Sequence, residues 1–329
     1  MSGAAITVEG LTKRFGRVQA LKGIDFEVPA GSVFGLLGPN GAGKTTAVRI
    51  LTTILPPDGG RAEVLGHDVA RDPEGVRFRI GLAGQYAAID PNLTGRENLR
   101  LTGRLAQLPG NEASSRAGEL LERFELTDAA DRPAKTYSGG MRRRLDVAAA
   151  LVSRPPVVFL DEPTTGLDLH SRNELWEMIR ELVSDGATVL LTTQYLEEAD
   201  RLAERVAVID GGRVIADDTP AVLKSELGST VVELSLGDDD RAAAAEALLS
   251  RELHAPVQRE LTLVTLSSQD GSRLLIDALR ILEGQGLTPT TLNVREPSMD
   301  DVFLALTGHH AEPVPGAEAD GRDTDRKKE

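Results

Sequence analysis

The 329-residue sequence predicts an α/β fold with a mixed sheet and a helical insert, followed by a small α+β domain. Three observations carry that reading. A glycine-rich stretch, Gly38-Pro39-Asn40-Gly41-Ala42-Gly43-Lys44-Thr45-Thr46, joins the apolar run Ser32 to Leu37 to a segment with Val48, Leu51 and Leu55 at helical spacing. A second apolar run, Val157 to Leu160, has the unbroken hydrophobicity of a parallel strand covered on both faces, and it ends in Asp161-Glu162. After Leu227 a new alternation begins in the order βαββαβ, the order of a ferredoxin-like domain.

The glycine-rich stretch fits G-x-x-x-x-G-K-[ST], the spacing of a P-loop, and predicts a nucleotide-binding domain. Its glycines let consecutive N–H groups turn on an anion, Lys44 can reach the outer phosphates, and the Thr45 hydroxyl can ligate Mg²⁺. The phosphates then lie at a helix N-terminus, where unpaired N–H groups and the helix dipole favour negative charge. Ligands of open α/β sheets bind at the carboxyl ends of the strands, which puts Asp161 and Glu162 beside the loop. Asp161 suits a Mg²⁺ site, since that ion prefers oxygen ligands shared between a few side chains and the phosphates. Glu162 suits a general base or an orienter of the attacking water.

Composition narrows the partners. With 37 Lys and Arg against 51 Asp and Glu, the formal charge is −14, which repels a nucleic-acid backbone. Aromatic residues make up only 3%, too few to stack many bases, so nucleic acid is not an expected partner. There are no cysteines, which excludes disulfides, thiolate metal sites and cysteine nucleophiles. Met1 to Gly10 lacks the basic start and apolar core of a secretory signal. No apolar stretch is long enough to cross a bilayer, so any action at a membrane needs another chain to do the crossing.

Taken in order, residues 4–37 alternate apolar and polar positions and predict strands running into the loop. Phe15 lies among them, either as a core ring or as a platform for a nucleobase. Pro56 to Gly60 reads as a turn, and Ile80 to Ala83 as a strand running into Gln85. Thr94-Gly95-Arg96-Glu97 has the form of a capping box, and an amphipathic helical pattern continues from it to about Thr136. Ser138-Gly139-Gly140 precedes a helix with Met141, Leu145, Ala148 and Val152 on one face, a second potential anion site. Arg142, Arg143 and Arg144 read as a solvated face of that helix, with one of them able to approach a phosphate.

These motifs, in this order, resemble the ATP-binding subunits of ABC transporters: the loop Gly38 to Thr45, Gln85, Ser138-Gly139-Gly140, Asp161-Glu162, Gly166-Leu167-Asp168 and Thr192-Thr193-Gln194. The stretches Lys135 to Asp146, Thr192 to Asp200 and Met299 to Gly308 resemble the daunorubicin/doxorubicin-resistance group more closely, so the likeness spans nearly the whole chain. The resemblance implies two subunits sandwiching two ATP molecules. Each nucleotide would sit on the loop of one chain (Gly38, Pro39, Asn40, Gly41, Ala42, Gly43, Lys44, Thr45 and Thr46) and on Ser138, Gly139 and Gly140 of the other. It also implies that Phe15 stacks on adenine, that Thr45, Gln85 and Asp161 serve Mg²⁺, and that Asp168 contacts the opposite chain. Lys44, Glu162 and Gln194 would do the catalytic work.

Two departures stand out. Tyr137-Ser138-Gly139-Gly140-Met141 replaces the wider family's Leu-Ser-Gly-Gly-Gln but keeps the N–H groups and the hydroxyl. Gln194 stands where a histidine is usual, and its amide can donate a hydrogen bond but cannot titrate near neutral pH.

The expected organisation is a nucleotide-binding domain over residues 1–227, with its helical insert at about 86–137, then a regulatory or dimerisation domain over 228–310 and a disordered tail over 311–329. His309-His310 shows no metal-ligand spacing. The expected function is an ATP-hydrolysing exporter subunit, most simply a homodimer, on the cytoplasmic face of the membrane. A separate multi-span permease would carry antibiotics or other hydrophobic, anthracycline-like cargo. The alternatives are a soluble ABC-type ATPase acting on ribosomes or DNA, or an ATP-gated binding module without turnover.

Overall fold

The computed structural model describes residues 3–84, 89–228, 230–253, 255–268 and 270–308. Gln85, His309-His310 and the 311–329 segment lie outside the described residues. The chain forms two compact units that divide between Asp217 and Asp218.

The first unit opens with strands β1 (Ala4–Phe15), β2 (Val18–Pro29) and β3 (Val33–Leu37), then helix α1 (Lys44–Leu51). There follow β4 (Gly59–Val64), β5 (His67–Asp68), α2 (Pro73–Arg77), β6 (Ile80–Ala83), α3 (Gly95–Leu105) and α4 (Gly110–Arg123). The unit continues with α5 (Gly139–Ala150), β7 (Val157–Asp161), α6 (Leu169–Ser184), β8 (Thr188–Thr193), α7 (Leu196–Leu202), β9 (Arg205–Asp210) and β10 (Arg213–Asp218). Two sheets result. One has the order β2-β1-β4-β5, and the other β10-β9-β3-β8-β7-β6. In the second, β9, β3, β8, β7 and β6 pair in parallel, and β3, β7 and β8 are buried along their whole length, as their unbroken apolar composition requires. The core between the sheets joins Ile6, Leu11, Leu21 and Phe26 of the first to Phe34, Phe159 and Leu190 of the second, with Phe26 stacked on Phe34 at 5.4 Å between ring centres.

The short strands β4 and β5 escape sequence reading, because four of the six residues from Gly59 to Val64 are glycine or charged and the run becomes a strand only by pairing with β1. The capping box at the start of α3 is present: Thr94 accepts from the Glu97 N–H at 3.1 Å while the Glu97 carboxylate accepts from the Thr94 N–H at 2.8 Å. Among the described residues no helix is long and apolar enough to cross a membrane.

The second unit contains α8 (Pro220–Leu227), β11 (Thr230–Ser235), α9 (Asp239–Glu252), β12 (Val257–Glu260), β13 (Leu263–Ser268), α10 (Gly271–Glu283), β14 (Thr291–Arg295) and α11 (Met299–Thr307). Its strands pair antiparallel in the order β12-β13-β11-β14. Val232, Leu234, Val264 and Leu266 pack on Ala242, Ala245 and Leu249 of α9 and on Leu274, Ala278 and Leu282 of α10. Helix α8 falls in this unit and packs against α11, because the chain turns at Thr219, whose hydroxyl caps the helix. Arg295 binds Glu233 at 2.6 Å and Asp301 at 2.6 and 2.8 Å, joining β14, β11 and α11.

Candidate functional site

The parallel register brings three strand ends together: Leu37 pairs with Thr193, and Asp161 with Thr192. The chain leaves β3 directly into Gly38, leaves β7 into Glu162 and leaves β8 into Gln194, so the loop, the carboxylates and the amide emerge side by side.

The loop conformation depends on glycine at defined points. A Cβ on Gly38 would lie 2.2 Å from the Ile209 carbonyl oxygen. Gly43, at φ 116°, precedes α1 with no side-chain cap, and a Cβ there would meet the Ala20 carbonyl at 2.8 Å. The first N–H groups of α1 therefore point at the site without a side-chain acceptor, the arrangement an anion completes. Lys44 is 4% exposed; its ammonium donates to the carbonyls of Gly38 at 2.6 Å and Pro39 at 3.2 Å and stands 4.0 Å from Glu162 Oε1.

Asp161 and Glu162 share one anchor, the Thr192 hydroxyl. Thr192 Oγ1 donates to Asp161 Oδ1 at 2.6 Å, and Thr45 Oγ1 donates to the same oxygen at 3.3 Å. The Glu162 N–H donates to Thr192 Oγ1 at 3.0 Å. Glu162 sits at φ 51°, a left-handed conformation that is costly for a residue with a Cβ, and such strain collects at functional sites. A cleft of about 320 Å³ opens beside it, walled by Gly84, Gly139, Arg143 and Asp161 among others. Among the described residues no three or more His, Asp or Glu side chains gather as a metal cage. Asp161 and the Thr45 hydroxyl are instead the few oxygen donors that a Mg²⁺ shared with phosphates uses.

The remaining expected residues spread around this centre. Ser138 caps α5, its hydroxyl accepting from the Met141 N–H at 3.2 Å, and both Ser138 and Gly139 are exposed. Asp168 caps α6 by accepting from the Ser171 N–H at 2.8 Å, and hydrogen bonds from Ser171 hold its carboxyl below the usual range. Gln194 Oε1 is buried without a hydrogen-bond partner, which keeps this amide from being committed to the protein's own donors. Phe15 is no core ring: it is 46% exposed, with Lys13 Nζ 5.8 Å from its centre.

The arginine run is corrected by the structure. Arg142 is exposed, but Arg144 is largely covered and pairs with Glu125 and Glu174, while Arg143 turns inward to carbonyls at the end of β7. An Arg at three residues before an Asp, with that Asp146 on the buried face of the helix, was the available signal. Thr192 was likewise readable only as part of a motif, not as the hydroxyl that holds both carboxylate residues.

Behind the site lies Glu198, fully buried on α7, with Oε1 accepting from Trp176 Nε1 at 3.1 Å. Burial pushes this carboxyl above its ordinary value, against the Trp176 hydrogen bond and the Arg172 charge. The folded state thus holds the proton more tightly, and the stabilisation this brings is present below the unfolded pKa and lost as pH rises through the folded one. Glu198→Gln, which mimics the protonated form, is expected to lose less stability than the parent as pH rises above the ordinary carboxylate range. Urea midpoints measured across that range check it, and parallel profiles would refute it.

A P-loop between β3 and a helix N-terminus, with an oxygen-donor pair and a carboxylate where β7 ends one strand away, defines a nucleoside triphosphatase of the P-loop class. Comparison with known proteins narrows this. The model of the ABC transporter family matches residues 21–165. The chain is 51% identical to the daunorubicin resistance ATP-binding protein DrrA2 of Streptomyces coeruleorubidus, over 97% of this chain and 100% of that protein. It is 53% identical to the daunorubicin/doxorubicin resistance ATP-binding protein DrrA of Streptomyces peucetius, over 94% of each. Among solved structures it resembles an ATP-binding subunit of an ABC transporter, with a TM-score of 0.62 and 28% identity over 68% of this chain and 92% of that one. It also resembles an ATP-binding cassette in a dimeric, post-hydrolysis state bound to ADP and phosphate, with a TM-score of 0.59 and 26% identity over 65% and 98%. The chain belongs to the ABC transporter family, as an ATP-hydrolysing, ATP-binding subunit. Subunits of this family act as dimers together with a membrane permease.

Proposed function

We propose that this chain powers the export of antibiotics or similar hydrophobic natural products, anthracycline-like compounds among them, as a homodimer on the cytoplasmic face of a membrane. A separate multi-span permease carries the cargo. The observation that carries the ATPase centre is the convergence of Lys44 and Thr45, after β3, with Asp161 and Glu162, at the end of β7, across the intervening β8. The cargo class rests on relatives named for daunorubicin and doxorubicin resistance, which match this chain through its second unit as well as its first.

In this reading the loop from Gly38 to Thr46 cradles the phosphates with backbone N–H groups, and Lys44 leaves its carbonyl partners for the outer phosphates. Thr45 and Asp161, with Gln85, would hold Mg²⁺, which would supply positive charge to the transferring phosphate. Glu162 accepts the proton of the attacking water, and the Gln194 amide donates to the γ-phosphate. Phe15 carries the adenine ring. The exposed Ser138-Gly139-Gly140 end of α5 serves the nucleotide of the partner, and Asp168 meets the opposite chain. ATP then favours the closed dimer and hydrolysis the open one, so transport follows a population shift.

The test is capture of a tagged Glu162→Gln form with ATP and Mg²⁺ from gently solubilised native membranes, followed by mass spectrometry. Recovery of one multi-span protein in near-equal ratio is expected, and deletion of that pair is expected to sensitise cells to anthracyclines. Recovery of ribosomal or DNA-bound proteins alone would overturn the exporter reading and leave the ATPase in place.

A further inference from the structure

Arg143 occupies an unusual position for a side chain from a run of three arginines. Its side chain is 14% exposed, and every nitrogen of the guanidinium is engaged. Nε donates to the Pro163 carbonyl at 2.7 Å, Nη2 to the Asp161 carbonyl at 3.0 Å, and Nη1 to the Gly84 carbonyl at 3.2 Å and to Asp146 Oδ2 at 3.0 Å. The two carbonyls on β7's exit belong to the residues on either side of Glu162. The third belongs to the residue after β6, at the start of the segment that leads to the helical insert. Asp146, one turn further along α5, is 4% exposed at its side chain and orients the fork.

Carbonyls just past a strand end have no ladder partner, and a planar fork with five fixed donors suits several at once. Arg143 is thereby a mechanical joint. It reads backbone positions next to the residues that touch this subunit's nucleotide, and it stands on the helix whose exposed N-terminus is capped by Ser138.

We propose that Arg143 is a positioning residue: it ties α5 to the backbone around Glu162 and to Gly84, so that occupancy of one subunit's ATP site sets the position of the Ser138-Gly139-Gly140 end offered to the partner's ATP. This rests on the dimer reading above. Small displacements at such a joint are costly, since a misplacement of about 1 Å in a catalytic arrangement can lower turnover by about a hundredfold.

The test compares Arg143→Lys with its parent. A lysine keeps the charge but offers one nitrogen, which cannot span three carbonyls and a carboxylate. In the wild-type background kcat is expected to fall by about tenfold or more, and the Hill coefficient for ATP to approach one. In the Glu162→Gln background, ATP-driven dimerisation followed by sedimentation is expected to weaken by about tenfold, while ATP binding to the single subunit stays within about twofold. Asp146→Asn, which keeps an acceptor for Nη1 but removes the charge that strengthens the bond, is expected to show the same split at smaller size and keeps the test open should the lysine variant fold poorly.

Turnover and dimerisation within about twofold of the parent would overturn the inference, as would loss of single-subunit binding. A Glu162→Gln parent that stays monomeric with ATP would overturn the dimer reading itself.

Discussion

Glu162→Gln is expected to lower ATP turnover by about a hundred- to ten-thousandfold, the usual contribution of a positioned general base, while leaving nucleotide binding intact. The amide matches the carboxylate in size and can still accept a hydrogen bond, but it cannot take up a proton. The surroundings explain why nothing else would move. The backbone of Glu162 is pinned by its N–H bond to Thr192 Oγ1 at 3.0 Å, and the Asp161 carboxylate is held by Thr192 and Thr45 without help from the Glu162 side chain. The substitution touches two weak side-chain contacts: the ion pair with Lys44, 4.0 Å away, which binding of a phosphate would break in any case, and the long hydrogen bond from the Thr165 hydroxyl at 3.5 Å, which an amide oxygen can still accept. Phosphate release and equilibrium ATP binding, measured side by side, decide the matter. Retained turnover would remove Glu162 from the chemistry, and lost binding would make it structural.

Lys44→Ala is expected to act at the opposite step, weakening ATP binding by about a hundredfold or more, since each charge-assisted hydrogen bond contributes about 1.5–3 kcal/mol. Two effects add. The variant removes the only cation that stands beside Glu162 within the loop, and it strips the Gly38 and Pro39 carbonyls of the donor that folds the loop in advance. Arginine should not restore binding, because its broad fork does not fit a slot built around the single nitrogen of a residue that is 4% exposed. Overall stability should hold, as α1 is anchored by Ala47, Val48, Ile50 and Leu51 in the core. Isothermal titration with ATP and a thermal melt check both halves, and binding within about threefold of the parent would refute the assignment.

The sequence by itself determined the local structure that depends on short spacing. The P-loop, the strand that ends in Asp161-Glu162, the Ser138 cap and the Thr94–Glu97 capping box each lie within a dozen residues, where backbone geometry and hydrophobic period act directly. The βαββαβ order from β11 to β14 was legible for the same reason, while α11 was not read as a helix. Tertiary structure alone decided what depends on partners far along the chain. Strands β4, β9 and β10 exist by pairing, and α8 joined the second unit by packing on α11. Arg143 left the solvated face because its acceptors lie 18, 20 and 59 residues away, at strand ends that meet only when the sheet assembles. Glu198 and Trp176, 22 residues apart, became a buried pair in the same way. Burial is a property of the assembled layers, and neither period nor composition along one segment carries it.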